Sequence, residues 1–203
     1  MDLTAPLGPL QLRTPLIAAA GTVASVVEWV PVGCPEAFGA AVTKSVSVRP
    51  WPGNPGLRLL PLGPGMLNTV GIHNPGLSRW QADIGPRLGA APVPVWGSAV
   101  GRTPDEFAVV AAGLEEAGVE VVEVNLSCPN LGDDEMFALS AAAAGPVVHA
   151  VRQAVTVPVG AKLSPEAADI VDVAGAVAEA GADFVVLTNT ARGAGWTVSG
   201  GGS

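Results

Sequence analysis

Short apolar runs, each followed by a helix-like repeat, recur along the chain. Their β-branched content and flanking turn residues predict strands at 16–20, 40–46, 93–98, 121–126, 157–163 and 183–188. The clearest helix lies between the third and fourth runs. Thr103 suits its N-cap, Pro104 its first turn, and Glu106 completes a capping box. Phe107, Val110, Ala111 and Leu114 then follow at helical spacing, and Gly118 ends the helix. A second helix opens at Ser164-Pro165, places Ile170, Val173, Ala174 and Val177 on one face, and stops at Gly181.

These two units repeat one another. "EEAGVEVVEVN" (115–125) and "AEAGADFVVLTN" (178–189) both run from helix end through glycine and a buried strand to asparagine, one residue apart in length. Strands apolar on both faces and alternating with helices imply a parallel sheet. The choice is between a (β/α)8 barrel and an open doubly wound sheet. No G-x-G-x-x-G follows an early strand, since "GPGMLNTVG" has the wrong context, and this favours the barrel. Six strands are visible where such a barrel has about eight. The expectation is therefore a single α/β domain over residues 1–203, a TIM-type barrel incomplete by two βα units, with a Gly-rich end "GAGWTVSGGGS".

Composition narrows the function. Hydrophobic residues make up 49% and charged ones 14%, which excludes a disordered chain. A net charge of −8 with no basic stripe argues against nucleic acid and anionic membranes. No apolar stretch is long enough to predict a membrane span, and the N-terminus lacks a signal-peptide pattern. Two cysteines, Cys34 and Cys128, can hold neither a disulfide framework nor a four-cysteine cluster, so a reducing cytoplasm is expected.

Candidate chemistry sits at strand ends. The only two lysines, Lys44 in "VTKSV" and Lys162 in "GAKLSP", each fall at the C-terminal end of a predicted strand, the catalytic end of an α/β barrel. Solvated loop lysines are the plain alternative. Of six asparagines, five fall in three segments: Asn68 and Asn74, Asn125 and Asn130, and Asn189. Carboxamides pair a donor with an acceptor without charge, which suits an imide- or urea-like ligand. Turn chemistry is the competing account, strongest for Asn54 and Asn74 and weakest for Asn125 and Asn189, which directly follow strands. Cys128 stands past its apolar run beside Pro129, where a thiol can serve as base or nucleophile. No second Cys or His lies at metal-ligand spacing, so no metal is expected. Cys34 and His149 read as structural, His73 as either a ligand contact or a surface residue, and Trp51, Trp80 and Trp96 as packing or pocket wall.

"TKSV", "GNPGLR", "GMLNTVGIHNPG", "NLSCPN", "KLSP" and "LTNT", collinear and correctly spaced, resemble the class 1 dihydroorotate dehydrogenases of pyrimidine biosynthesis, over residues up to about 193. The subgroup most similar pairs its catalytic subunit with an iron–sulfur flavoprotein. The resemblance implies a (β/α)8 barrel holding FMN and oxidising (S)-dihydroorotate to orotate. Cys128 would remove the C5 proton, with hydride passing from C6 to the flavin. It further implies substrate contacts from Lys44, Asn68, Thr69, Val70, Gly71, Ile72, Asn125, Asn130, Asn189 and Thr190. Flavin contacts would come from Ala20, Lys44, Ser45, Ser98, Asn125, Lys162 and Thr188. A homodimer in the cytoplasm is implied as well. The positions at Ser45 and Ser98 depart from the paired-subunit subgroup, and "LGDDEMFALSAAAAG" after Asn130 is more acidic and Ala-rich than the family's loop. The family's glycine-rich turns after the last two strands bind the flavin phosphate, so the 203-residue chain is expected to hold FMN poorly. Three other readings compete. They are a Schiff-base barrel lyase using Lys162, a non-catalytic remnant whose exposed strands bind another chain, and a related flavoenzyme acting on dihydropyrimidines or on uridine in RNA.

Overall fold

The computed structural model describes residues 2–29, 34–63, 65–127 and 136–194. The chain opens with an antiparallel hairpin, β1 (Ala5–Leu7) and β2 (Leu10–Leu12). Strands β3 (Ile17–Ala18) and β4 (Ala40–Val42) follow, then a second hairpin, β5 (Leu59–Leu62) and β6 (Gly65–Asn68). The remainder alternates: α1 (Leu77–Asp83), β7 (Val95–Ala99), α2 (Pro104–Glu116), β8 (Val121–Asn125), α3 (Ala141–Ala154), β9 (Val159–Lys162), α4 (Ile170–Glu179) and β10 (Phe184–Val186). No described helix is long and apolar enough to cross a membrane.

Six strands form one parallel sheet in the order β10-β9-β8-β7-β4-β3. All six predicted strands are present, each shorter than its apolar run, because ladder pairing stops before the apolar residues do. Alternation along the strands separates two cores. Outward residues such as Ala41, Val95, Val122, Val124, Val159 and Ala161 pack against Phe107, Val110, Leu114, Val147, Val151 and Val177 of the helices. Inward residues Ala40, Val42, Trp96 and Val121 pack with Leu12 and with Leu7, Leu10 and Phe184. The β1–β2 hairpin thus closes the N-terminal end of the sheet. At about 1.5–3 kcal/mol for each large side chain fully buried, the outer layer is the main source of stability.

The two repeated units end identically. In α2, Val119 N–H donates to Leu114 O and Gly118 N–H to Glu115 O; in α4, Ala182 N–H donates to Val177 O and Gly181 N–H to Ala178 O. Both are Schellman closures, and Gly118 (φ 102°) and Gly181 (φ 103°) supply the left-handed residue that such a closure needs.

Several expectations need correction. The α4 helix begins at Ile170, not at Ser164-Pro165, because Asp169 caps the N–H groups of Val171 and Asp172. Ser164 instead turns the preceding loop by accepting from Glu166 N–H. Thr103 caps α2 through Glu106 N–H as predicted, but the Glu106 carboxylate reaches back to Arg102 N–H, one residue earlier than a capping box. The Ala-rich part of the segment that departs from the family's loop is helix from Ala141, capped by Ser140. Cys34 is exposed rather than packed, and His149 lies on α3, exposed. Trp80 and Trp96 are buried. Trp51 is half-buried, with the Arg102 guanidinium 5.2 Å from its ring centroid.

Candidate active site

Strand register stacks the inward side chains in rows. Val42, Trp96 and Val121 form the lowest, Ser98, Glu123, Gly160 and Phe184 the next, and Asn125, Lys162 and Val186 the uppermost. Above that last row, at the C-terminal ends of the strands, lies a cleft of about 300 Å³. Lys44, Lys162, Asn68, Asn125 and Asn189 all line it, together with Ala20, Ser45, Val70, Ile72 and Thr190. The two lysines and three of the five clustered asparagines therefore meet at one mouth.

A polar chain fixes the floor. Ser45 Oγ and Ser98 Oγ lie 2.9 Å apart, Asn125 Nδ2 donates to Ser45 Oγ at 3.0 Å, and Asn125 Oδ1 accepts from Ser127 Oγ at 3.4 Å. Asn189 Nδ2 donates to Ser127 O at 3.0 Å and to Asn125 Oδ1 at 3.4 Å, while its own Oδ1 accepts from Thr190 N–H. Both carboxamides are thus locked in orientation, as a site that reads an imide edge requires. Backbone strain gathers at the same end: Ile72 (φ 53°) lines the cleft, and Ala24 (φ 51°) accepts from Lys44 N–H at 2.7 Å.

The electrostatics are uneven. Burial lowers the Lys44 ammonium below the ordinary lysine range, and the Arg58 guanidinium lowers it further. Arg58 is held by the carbonyls of Asn54 and Pro52, both at 2.8 Å. Lys162 is buried at the cleft floor. Burial pushes the Glu123 carboxyl up, with Lys162 pulling it back.

Other expected contacts lie off the lining. Ser98 is fully buried one row down and acts on the cleft through Ser45. Thr69 accepts from Asn54 Nδ2, Gly71 packs against Asn54, and Thr188 bonds to Asn189 O. Asn74 is buried in turn chemistry, bonded to Ser47 and to Ile72 O, which resolves its two readings in favour of the turn. His73 is exposed and lines a separate cleft with Trp51 and Trp80. Cys128 and Asn130 lie outside the described residues. Gly21, Thr22, Leu59 and Met66 join the lining without having been foreseen. Leu59 and Met66 come from the β5–β6 hairpin, whose one signal was the turn-favouring Gly-Pro-Gly between two short apolar runs in "LRLLPLGPGMLN".

A family model described as dihydroorotate dehydrogenase matches residues 3–198. A catalytic subunit of dihydroorotate dehydrogenase B (NAD(+)) from Pelobacter propionicus is 40% identical over 194 residues, 95% of this chain and 64% of the relative. Its counterpart from Desulforudis audaxviator is 41% identical over 183 residues, 89% of this chain and 60% of the relative. A crystal structure of DHODH from Eimeria tenella in complex with ferulenol superposes with a TM-score of 0.76 at 18% identity, covering 94% of this chain and 60% of that one. The chain spans about three fifths of the length of these proteins.

Proposed function

The chain belongs to the dihydroorotate dehydrogenase family, and on that premise we propose that its cleft serves the FMN-dependent oxidation of (S)-dihydroorotate to orotate. The supporting observation is the convergence of both lysines with Asn68, Asn125 and Asn189 at the C-terminal ends of the strands. Substrate and product are anionic cyclic ureides, so they need cationic charge and uncharged donor–acceptor pairs side by side. The cleft supplies that combination.

The lining also fits a flavin, because a planar ring with an imide edge and developing negative charge matches a buried lysine beside locked carboxamides. When bound, FMN supplies the two-electron acceptor that no side chain here provides. Lys162, with Ala20, Ser45 and Asn125, would hold the ring. Lys44 and Asn68 would face the substrate carboxylate, while Val70, Ile72, Asn189 and Thr190 wall the pyrimidine. Cys128, three residues beyond Asn125, would take the C5 proton, with Asn130 as a further contact. The Asn125–Ser127–Asn189 bonds fix residues 125–127, from which the sequence continues to Cys128. Lys44, lowered from the ordinary lysine value by burial and by Arg58, gives up its proton more easily than a surface lysine.

A nicotinamide acceptor would call for a second, iron–sulfur flavoprotein subunit, since the two cysteines within these 203 residues hold no cluster. The assembly we infer is a homodimer with or without that subunit, working in the cytoplasm. The test is orotate formation by the natural protein, wild type against Cys128→Ser. Turnover at neutral pH is expected to fall by about 100-fold or more, since a hydroxyl ionises far less readily than a thiol. Unchanged turnover would remove Cys128 from the mechanism, and absence of orotate formation in the wild type would refute the assignment.

A further inference from the structure

Among the described residues, the mechanism above leaves one buried ionisable group unused. Across all six strands of the sheet, the only acid is Glu123 and the only base is Lys162. Glu123 is 2% exposed, and its Oε1 has no hydrogen-bond partner. It lines an apolar cavity of about 280 Å³ beneath the cleft with Ile17, Val42, Trp96 and Phe184, whose two rings lie 5.5 Å apart. A carboxyl in such surroundings is costly, and a hydrophobic side chain would fill the space better.

The register explains what it faces. Glu123 pairs with Gly160, and Asn125, two residues on, pairs with Lys162. Residues two apart share a face, so Lys162 stands one row above Glu123 on the adjacent strand. Gly160 places no side chain between them; the Phe184 ring occupies that space instead. The neighbouring strands present Ile17, Val42, Trp96, Ser98 and Phe184, none of them ionisable, and Lys44 lies farther up in the cleft lining. Burial drives the carboxyl toward its neutral form and Lys162 opposes this.

We propose that Glu123 is a positioning residue, whose carboxyl anchors the Lys162 ammonium in the cleft floor from one row below and so sets how much positive charge faces the bound ring. The consequence for catalysis rests on the dehydrogenase reading of the cleft; the anchoring itself does not. Without the anchor, Lys162 is freer to move and is held less firmly as an ammonium.

This is measurable on the folded natural protein by limited acylation with acetic anhydride and peptide mass mapping, which reads Lys162 with Lys44 as internal reference. In Glu123→Gln, the Lys162 rate relative to Lys44 is expected to rise roughly fivefold or more, the factor that about 1 kcal/mol of lost attraction from a nearby opposite charge sets. Glu123→Asp, which keeps the acid, should return it most of the way to wild type. An unchanged ratio in Glu123→Gln overturns the proposal, as does an Asp variant as fast as the Gln one, which would mean that only volume matters. Should Glu123→Gln not fold, the reciprocal variants decide. The carboxyl carbon resonance of Glu123 should titrate at higher pH in Lys162→Met and stay in place in Lys162→Arg; no movement in Lys162→Met refutes the anchor. Loss of orotate formation would leave these ratios untouched, so the two failures are distinguishable.

Discussion

The two ends of the same strands treat charge in opposite ways. At the N-terminal end, Asp183 and Glu115 are tied down by backbone N–H groups and by polar or charged side chains. Asp183 accepts from Val159 N–H at 2.8 Å and pairs with Arg152 at 3.4 Å. Glu115 accepts from Thr156 Oγ1 and from the N–H groups of Thr156 and Val157. At the C-terminal end, burial works against the charges: Lys44 is lowered by desolvation and by Arg58, and Glu123 is raised by desolvation. Left-handed Ile72 and Ala24 add strain there. One end is arranged for stability and the other spends it on a site.

The most damaging way to break this contrast is at the closed end. Leu12 is buried against Ala40, Val42, Trp96 and Val121, where the β1–β2 hairpin seals the inner core. Leu12→Ala should cost about 3 kcal/mol of unfolding free energy by removing that plug, read by denaturant unfolding. Ligand affinity of the fraction still folded should be unchanged. A large loss of affinity at full stability would show that the two ends are not separable.

Next in size is the hub of the open end. Asn125→Ala strips a donor from Ser45 and an acceptor from Ser127 and Asn189, leaving buried polar groups unmatched. Stability should fall by about 2 kcal/mol, and orotate affinity by at least about tenfold, measured by calorimetry. Lys44→Met sharpens the contrast. It removes a desolvated cation already repelled by Arg58, so the melting temperature should hold or rise, while orotate binding weakens about tenfold. The sign follows from the lowered pKa. The ammonium burdens the folded state throughout the range below its lowered value. As pH rises from there to the ordinary lysine value, the unfolded chain binds the proton better and wild type recovers stability relative to Lys44→Met.

Legibility also differed between the ends. The six strands were readable because a parallel sheet buries both faces, which makes each strand an apolar run. Lys44, Lys162, Asn125 and Asn189 stood out because polar residues at the ends of such runs have no packing reason to be there. The β5–β6 hairpin escaped notice because its residues are mostly exposed, so Leu59 and Met66 carry no burial signature, although they wall the cleft. The α4 start was misplaced because Ser164-Pro165 and Asp169 are both credible helix openers. Only the Asp169 carboxylate, bonded to two N–H groups, decides between them. Glu123 was hidden inside an apolar run, where sequence alone gives no sign of which face it takes.

The smallest effect belongs to Glu115, half-buried where α2 ends beside the turn into β9. Burial pushes its carboxyl up, but the bonds from Thr156 and Val157 and the Arg152 charge outweigh this and hold it below the ordinary glutamate range. Glu115→Gln keeps the volume and one acceptor, so only the charge-assisted part is lost, about 0.5–1 kcal/mol at neutral pH. Because the folded value is the depressed one, this stabilisation is fully present above the ordinary glutamate pKa and disappears as pH falls through the lowered value. The gap in unfolding free energy between wild type and Glu115→Gln should therefore close on acidification. The corresponding gap for Lys44→Met changes only in the alkaline range, on the other side of neutrality. Opposite pH windows for these two variants are what the opposed treatment of charge at the two ends requires. A Glu115→Gln gap that stayed constant down to acid pH would mean that the turn is held by shape alone.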